Sequence, residues 1–440
     1  MSKSVVYKEI VQEAQALQPA LVKIRRDFHK YAESGWKEIR TSSLIAKRLT
    51  DLGFDEVLTG PEVCKAKARM GLPSKEVLAK EYARALAQGA VQPFAERAKN
   101  GFTGVIGILH CGQGPVIALR FDIDALGVFE DKSKEHLPTR EGFSSVNAGM
   151  MHACGHDGHA TTGLGVAELL IKHRNLLHGT VKLIFQPGEE GVRGARAIVE
   201  QGHLDDVNYV IGNHVTENTG RKGQISYNII PSLATSKLDV HFVGLASHAG
   251  AEPEKGHSAM LAAATAVLNL NAIPRHGRAA TRINIGRLVA GSGRNVTCDR
   301  ADMELEVRGS TTEANKYMED YARRIIKNSA AMHQCTAKIT LAGAAESVIN
   351  SPELMELCTQ VCEKKLGIEV GEPITSGAGS EDFSYMINRV KAHGGQGLFF
   401  RTLTPFAALN HCTNFDFGEA ALPTAVAVFC GMVLTLMGVK

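Results

Sequence analysis

The sequence predicts an α/β protein in which a mostly parallel-sheet domain is interrupted by an inserted ferredoxin-like α+β domain. Three observations carry this. β-rich runs alternate with helical segments over roughly the first half of the chain, which favours a parallel sheet. Near Ser232 the pattern changes to four amphipathic strands and two helices in ferredoxin-like order. After Ser351 the helix–strand alternation resumes. A chain of 440 residues also exceeds what one ordinary core holds. The expected division is 1–231 with 351–440 for a discontinuous domain and 232–350 for the insert. Pro231 and Asn350-Ser351-Pro352 are the expected hinges.

The elements follow in chain order. Val6 to Leu52 reads as helical, because Leu21, Ile24 and Phe28 recur at helical spacing and Gly53 is a stop. Pro61 to Asn100 reads as a helical insertion, with Val77, Leu78, Tyr82 and Leu86 along Lys75 to Ala87. Val105 to Leu109 and Val116 to Asp122 are β-rich. Ala160 to Lys172 is an apolar helix, Val181 to Gln186 a buried strand, Arg193 to Glu200 a helix stopped by Gly202, and Tyr209 to Asn213 a strand. In the insert, strands are expected at Leu238 to Val243, Arg282 to Val289, Met303 to Gly309 and Ala337 to Leu341. Its helices are His257 to Asn271 and Glu313 to His333. Ala421 to Gly438 is apolar but begins beside Pro423 and is shorter than the ~20 residues of a membrane span. It reads as a buried last helix rather than an anchor.

Composition excludes several classes of partner. A net charge of +3 from 49 basic and 46 acidic residues gives no electrostatic reason to expect nucleic acid or an anionic membrane. Nine cysteines, an odd count without a repeating framework, suit reduced and mostly buried thiols in the cytoplasm. The N-terminal segment has no apolar core of signal-peptide length.

Chemistry concentrates first in Met151-His152-Ala153-Cys154-Gly155-His156-Asp157-Gly158-His159. Thiolate sulfur and neutral imidazole suit zinc, iron or nickel, and a carboxylate admits manganese. Cys154 and His156 lie two apart and cannot share a helix face, so a loop freed by Gly155 and Gly158 must converge them. His152 and His159 fit places behind the ligands or at a helix start. In Phe185-Gln186-Pro187-Gly188-Glu189-Glu190-Gly191, two carboxylates follow a strand, where ligands of open α/β sheets collect. One can bind metal while the other stays free as a base. Taken alone, the pair also fits an acidic first helical turn. His214 ends a strand, and His411 stands in Leu409-Asn410-His411-Cys412. With Cys154, His156 and a glutamate they form a five-donor set, whereas a closed structural zinc site takes four.

These motifs are joined by Arg25-Arg26-Asp27-Phe28-His29, Ser247-His248-Ala249-Gly250 and Ser380-Glu381-Asp382-Phe383. Together they resemble the co-catalytic metallo-amidohydrolase family of aminoacylases, hippurate hydrolases and auxin–amino acid conjugate hydrolases, over nearly the whole chain. Tyr31 to Trp36, Met70 to Pro73, Asn147 to Met151 and Gly291 to Val296 resemble the branch of that family that hydrolyses p-aminobenzoyl-glutamate.

The resemblance implies a hydrolase that cleaves the amide bond of an N-acylated amino acid such as p-aminobenzoyl-glutamate. A general N-acyl amino acid aminoacylase or carboxypeptidase with another acyl pocket is the alternative. It further implies Cys154, His156, Glu190, His214 and His411 as ligands of two divalent ions, Mn2+ or Zn2+, and Glu189 as general base. An intact Glu189 argues against a non-catalytic binding protein. His248 would reach across a homodimer and polarise the scissile carbonyl, Asn295 and Arg308 would hold the substrate carboxylate, and Asp124 would stand behind the ligands. The insert would be a dimerisation and lid domain, and a further partner would be a second, related chain. The sequence departs from the family pattern at Gly188 in place of alanine and at Gly127 in place of proline. It departs again at Val215-Thr216-Glu217-Asn218 in place of a Gly/Pro-rich loop.

Overall fold

A computed structural model describes residues 3–375 and 379–438. The chain divides into two compact units, Met1–Ile230 with Ile349–Gly377 and Tyr385–Lys440, and Pro231–Val348 with Ala378–Ser384.

The first unit opens with helices α1 (Lys3–Ala16), α2 (Gln18–Lys30) and α3 (Ile39–Leu52). Strand β1 (Glu56–Thr59), helices α4 (Lys75–Ala87) and α5 (Phe94–Ala98), and strands β2 (Val105–His110) and β3 (Val116–Asp122) follow. Next come α6 (Leu137–Arg140), α7 (His156–Lys172), β4 (Thr180–Gln186), α8 (Ala195–Val199), β5 (Tyr209–Glu217) and β6 (Ile225–Tyr227). The second unit holds β7 (Ala234–Val243), α9 (Ala259–Asn271), β8 (Thr281–Ala290), β9 (Arg300–Gly309), α10 (Thr312–Met332) and β10 (Thr336–Ala345). The chain then adds α11 (Pro352–Val361), α12 (Ser384–Ala392), β11 (Gln396–Thr404) and α13 (Leu422–Met437).

The large sheet runs β1-β2-β4-β3-β5-β11-β6. Its centre, β4-β3-β5-β11, is parallel throughout, as the alternation of strands and helices requires. β2 is antiparallel to β4, and β1 and β6 are antiparallel edges. The sequence does not predict the two edges, because segments of four and three residues are too short to show a pattern. Side chains alternate across β11. Phe400 packs on Phe429 of α13, while the position of Gly397 meets Ile387 of α12, so helices cover both faces. The core on the first of these faces joins Leu21, Phe28, Leu164, Phe121 and Phe185 to α13. The segment Glu419–Met437 is apolar and long enough to span a membrane, yet 72% of it is buried inside the unit, against α1 and α7. It is the hydrophobic centre of the fold.

The second unit is an antiparallel sheet of order β10-β7-β9-β8. Ala301, Met303, Leu305 and Val307 alternate inward along β9 toward Met318, Ala322 and Ile326 of α10 and the alanine-rich face of α9. The element order β-α-β-β-α-β is the ferredoxin-like one. Ser258 and Thr311 cap α9 and α10, accepting the N–H of Leu261 and Ala314.

Candidate metal centre

The register of the parallel strands sets the site. Asp122 lies opposite Gln186, and Phe400 and Arg401 lie opposite Asn213 and His214. The carboxyl ends of β3, β4, β5 and β11 therefore share one edge, where an open α/β sheet offers its crevice. Asp124 follows β3, Glu189 and Glu190 follow β4, His214 stands near the end of β5, and His411 comes after β11. Cys154 arrives on the approach to α7, and His156 is the first residue of that helix. Gly155 between them adopts a left-handed φ of 89°, and a Cβ there would stand 2.4 Å from a methyl of Val215. Only glycine lets the chain turn there into the helix. Gly158, expected in the loop, lies in the first turn of α7.

The donors converge as expected from the sequence. Cys154 Sγ is 3.4 Å from His214 Nε2. His156 Nε2 is 4.0 Å from Glu190 Oε1 and 3.9 Å from Glu189 Oε2, and His411 Nε2 is 3.7 Å from Glu190 Oε1. Two donor triads, Cys154–His156–His214 and Cys154–Glu190–His411, each lie within 4.8 Å and share the thiol. The hydrogen bonds around the imidazoles fix their tautomers. His156 Nδ1–H donates to the backbone carbonyl of Asp124 (2.9 Å) and His214 Nδ1–H to that of Val215 (2.5 Å), leaving both Nε2 lone pairs for the cluster. His411 is held by its backbone N–H, which donates to Ala153 O (2.7 Å), and the neighbouring Asn410 amide donates to Cys154 Sγ (3.3 Å).

Among the described residues, His156 Nε2 and Glu190 Oε1 are buried and make no hydrogen bond. Buried polar atoms left unpaired cost about 1–3 kcal/mol each, so two facing one another call for a shared partner. A divalent cation satisfies both, and the thiol, imidazole and carboxylate donors are those it takes. The same donors also favour protons, which a bound cation would displace. Burial pushes the Cys154 thiol up to about 11, with Glu190 adding to it. Burial likewise pushes Glu190 up to about 7, opposed by His156 and reinforced by Asp124 and Asp122. Burial opposes charge on His156, yet Asp122 and Asp124 outweigh it and hold its pKa well above the usual value.

The turn carrying the two glutamates is gripped by its backbone. Asp124 Oδ1 accepts the N–H of Glu189 and Oδ2 that of Glu190, both at 3.0 Å. Glu38 Oε1 accepts the N–H of Gly188 (2.8 Å), and its Oε2 accepts from the Thr103 hydroxyl (2.6 Å). Burial and the neighbouring Asp124 push Glu38 up to about 8.

His159 has both ring nitrogens engaged. Its Nδ1–H donates to Asp122 (2.5 Å) and its Nε2 accepts the Val215 N–H (2.9 Å), which braces the end of β5 beside His214. Asp122 in turn accepts from Arg120 (2.6 Å). His152 is buried beside His29 and makes no hydrogen bond. The Arg25-to-His29 motif is a buried scaffold. Arg25 pairs with Asp157 (2.8 Å) and Asp416 (2.6 Å), and His29 bridges Asp157 (2.8 Å) and Glu130 (3.0 Å). This ties α2 to the start of α7 and to the segment after His411.

In the second unit, His248 is exposed, and its Nδ1 accepts the N–H of Gly250 (3.2 Å) and of Ala251 (3.1 Å). The proton must therefore sit on Nε2 when the ring is neutral, making that edge a donor. His248 pairs with Val296, and Asn295 O accepts the Ala249 N–H (3.1 Å), so His248 and Asn295 share one end of the unit. Arg308 is apart from them, with Nε and Nη2 bound to Glu306 (3.0 and 3.2 Å).

Three residues behind the site are not singled out by sequence patterns. Asp122 reads only as a strand end, although it is a carboxylate two residues before Asp124. Glu38 and Arg193 carry no motif signal of their own.

The model of the family described as "Peptidase family M20/M25/M40" matches residues 118–435. The chain is 44% identical to a p-aminobenzoyl-glutamate hydrolase subunit of Escherichia coli, over 94% of this chain and 95% of that one. It is 43% identical to the indole-3-acetyl-aspartic acid hydrolase of Enterobacter agglomerans, over 93% and 94%. Among solved structures, the aminobenzoyl-glutamate utilization protein of Klebsiella pneumoniae superimposes with a TM-score of 0.83 at 35% identity, covering 96% and 97% of the two chains. A dinuclear metal binding peptidase of Bacillus subtilis superimposes with a TM-score of 0.65 at 26% identity, covering 96% and 99%.

Proposed function

Because the chain belongs to peptidase family M20/M25/M40, it is a metallo-amidohydrolase, and we propose that it hydrolyses an N-acylated amino acid, p-aminobenzoyl-glutamate foremost. The observation that carries this reading is the facing pair of orphaned atoms, His156 Nε2 and Glu190 Oε1, with the Glu189 carboxylate beside them. Cys154, His156, Glu190, His214 and His411 hold two divalent ions, Mn2+ or Zn2+. Such cations supply Lewis acidity and lower the pKa of water.

The chain's own groups do the rest. Glu189 takes a proton from the attacking water and returns it to the leaving nitrogen, as base and then acid. Asp124 and Glu38 hold its turn still, so the carboxylate meets the water in one geometry. His248 offers Nε2–H to the developing oxyanion. The substrate carboxylate is taken by Asn295, which shares the His248 end of the insert and so comes with His248 from one protomer, and by Arg308 of the other protomer, whose planar guanidinium is suited to it once Glu306 yields it.

A homodimer accounts for the placement of these groups. Val243 pairs with Arg300 where the His248 loop leaves β7, whereas Thr235 pairs with Arg308 at the far end of the same ladder. Eight residues of strand are about 26 Å. One insert thus offers His248 and Arg308 at opposite ends of its sheet, which favours His248 serving the partner's site. The insert, 232–350, then acts as dimerisation and lid domain beside the metal-binding domain of 1–231 and 351–440. The E. coli relative is one subunit of its hydrolase, which supports a second, related chain here too. Nine cysteines, with no disulfide among the described residues, favour a cytoplasmic enzyme.

The test is a substrate panel on the metal-stripped protein reloaded with each divalent ion. The panel takes p-aminobenzoyl-glutamate, indole-3-acetyl-aspartate and simple N-acetyl amino acids. Metal-dependent turnover of the first above the others supports the reading, and no amide hydrolysis with any ion overturns it.

A further inference from the structure

Beside the glutamate turn lie three cations, Arg193, Lys37 and Arg84, which their acidic neighbours pair only in part. Arg193, three residues after Glu190, donates Nε–H to Glu190 O (2.8 Å) and Nη1–H to Gly71 O (3.5 Å). Among the described residues it meets carbonyls and no carboxylate. Its guanidinium lies over Gly35, where a Cβ would stand 2.5 Å from Nη2, so glycine is what admits it. Lys37, two residues on, is half-buried, and its ammonium makes no hydrogen bond or ion pair among the described residues. Burial lowers the Lys37 pKa, opposed by Glu81 and Glu38 and reinforced by Arg193 and Arg84, so the three cations share one neighbourhood with those carboxylates. Arg84, on α4, pairs with Glu81 through Nη1, while its buried Nε and Nη2 have no hydrogen-bond partner. Glu33 lies 3.8 Å from Nη2, an ion pair without a hydrogen bond, and its own oxygens accept the backbone N–H groups of Arg40 and Thr41.

Holding a guanidinium out of water with only carbonyls for partners, as at Arg193, or with buried nitrogens unpaired, as at Arg84, is costly, and part of the cost is recovered when an anion arrives. The place is next to the catalytic turn, so that anion belongs to the substrate. We propose that Arg193 and Lys37, backed by Arg84, form a subsite for a second carboxylate, that on the side chain of an acidic leaving amino acid. These are specificity-determining residues, and the inference rests on the amidohydrolase reading above. It also gives the 61–100 segment a purpose. That segment supplies Arg84 and the Gly71 carbonyl that orients Arg193, and Met70 O accepts the indole N–H of Trp36 (2.7 Å), fixing the chain between Gly35 and Lys37.

The test compares p-aminobenzoyl-glutamate with p-aminobenzoyl-glutamine, which keeps the α-carboxylate, the aryl group and the scissile bond and loses only the second charge. The metal-loaded protein should prefer the glutamate substrate in kcat/KM by about 10- to 100-fold, the worth of a charged hydrogen-bonded pair, with the difference in KM. In Arg193→Gln and Lys37→Gln, checked for unaltered metal content, that ratio should fall toward one. A ratio near one in the unsubstituted protein, or one that survives both substitutions, overturns the subsite while leaving the hydrolase standing. Hydrolysis of neither substrate removes the hydrolase reading and the subsite with it.

Discussion

Asp124 and Glu190 are joined twice over: the Asp124 carboxylate accepts the Glu190 backbone N–H at 3.0 Å, and the Asp124 carbonyl orients His156, which faces Glu190 across 4.0 Å. One residue behind the site thus sets two ligands and, through its other oxygen, Glu189. Asp124→Asn puts an N–H₂ where a second acceptor is needed. Groups of this kind cost about 10- to 100-fold in activity or metal affinity when altered. The expected result is such a loss, read as kcat and as bound metal per chain; both unaltered would show that the turn holds itself.

The metal-free protein should lose stability as pH rises above neutrality. Glu190, Glu38 and Glu33 are pushed up to about 7, 8 and 6 from an ordinary 4.5, so the folded state binds more protons than the unfolded between 4.5 and those values. Their contribution therefore favours folding below that window and fades as pH rises through it. Below about pH 6.5 His152, His159, His214 and His411, whose pKa values burial lowers, act in the opposite sense, so the fall is read above it. Thermal midpoints of stripped protein from about pH 7 to 8.5 should fall, and adding Mn2+ or Zn2+ should remove much of the fall, because a bound cation favours the ionised Glu190. A stripped protein that gains stability over this range would contradict it.

Arg25→Ala should destabilise the fold by about 3–5 kcal/mol, because it takes the guanidinium from Asp157 and Asp416 in a dry core and leaves Asp157 to His29. Both partners are within 2.8 Å of a guanidinium with no exposed surface. Urea unfolding measures this, and a loss under about 1 kcal/mol would mean that water reaches the carboxylates.

Much of this arrangement was legible in the chain, for identifiable reasons. Cys154, His156, Glu189 and Glu190 stand in short motifs whose donor chemistry announces itself, whereas His214, expected to end its strand after Asn213, lies within β5, which pairs with β11 on to Glu217. Glu38 was not, because its partner, the Gly188 N–H, lies 150 residues away and a buried glutamate in a helical stretch looks like any surface one. His159 is placed by the sequence behind the ligands or at a helix start, and its bonds to Asp122 and Val215 show what occupies its nitrogens. The parallel core followed from the alternation of strands and helices. The short edges β1 and β6 exist by pairing with β2 and β11, a tertiary effect that no local pattern records.

His248→Ala should leave metal content unchanged and abolish most turnover. Mixed with a Glu189→Gln protein, it should regain activity through hybrid dimers that hold one intact site. Recovery is read as activity against mixing ratio. No recovery despite proven exchange of protomers would place His248 in the site of its own protomer.

The most direct test of the central claim is the turnover of p-aminobenzoyl-glutamate by Glu189→Gln at full metal occupancy. Glutamine keeps the backbone grip of Asp124 and the shape of the turn, and removes only the proton acceptor. The expected outcome is metal content equal to the unsubstituted protein with kcat lowered by about 10²- to 10⁴-fold, the usual worth of a general base. Near-normal kcat with both ions bound would contradict the assignment of Glu189 and the hydrolytic mechanism built on it.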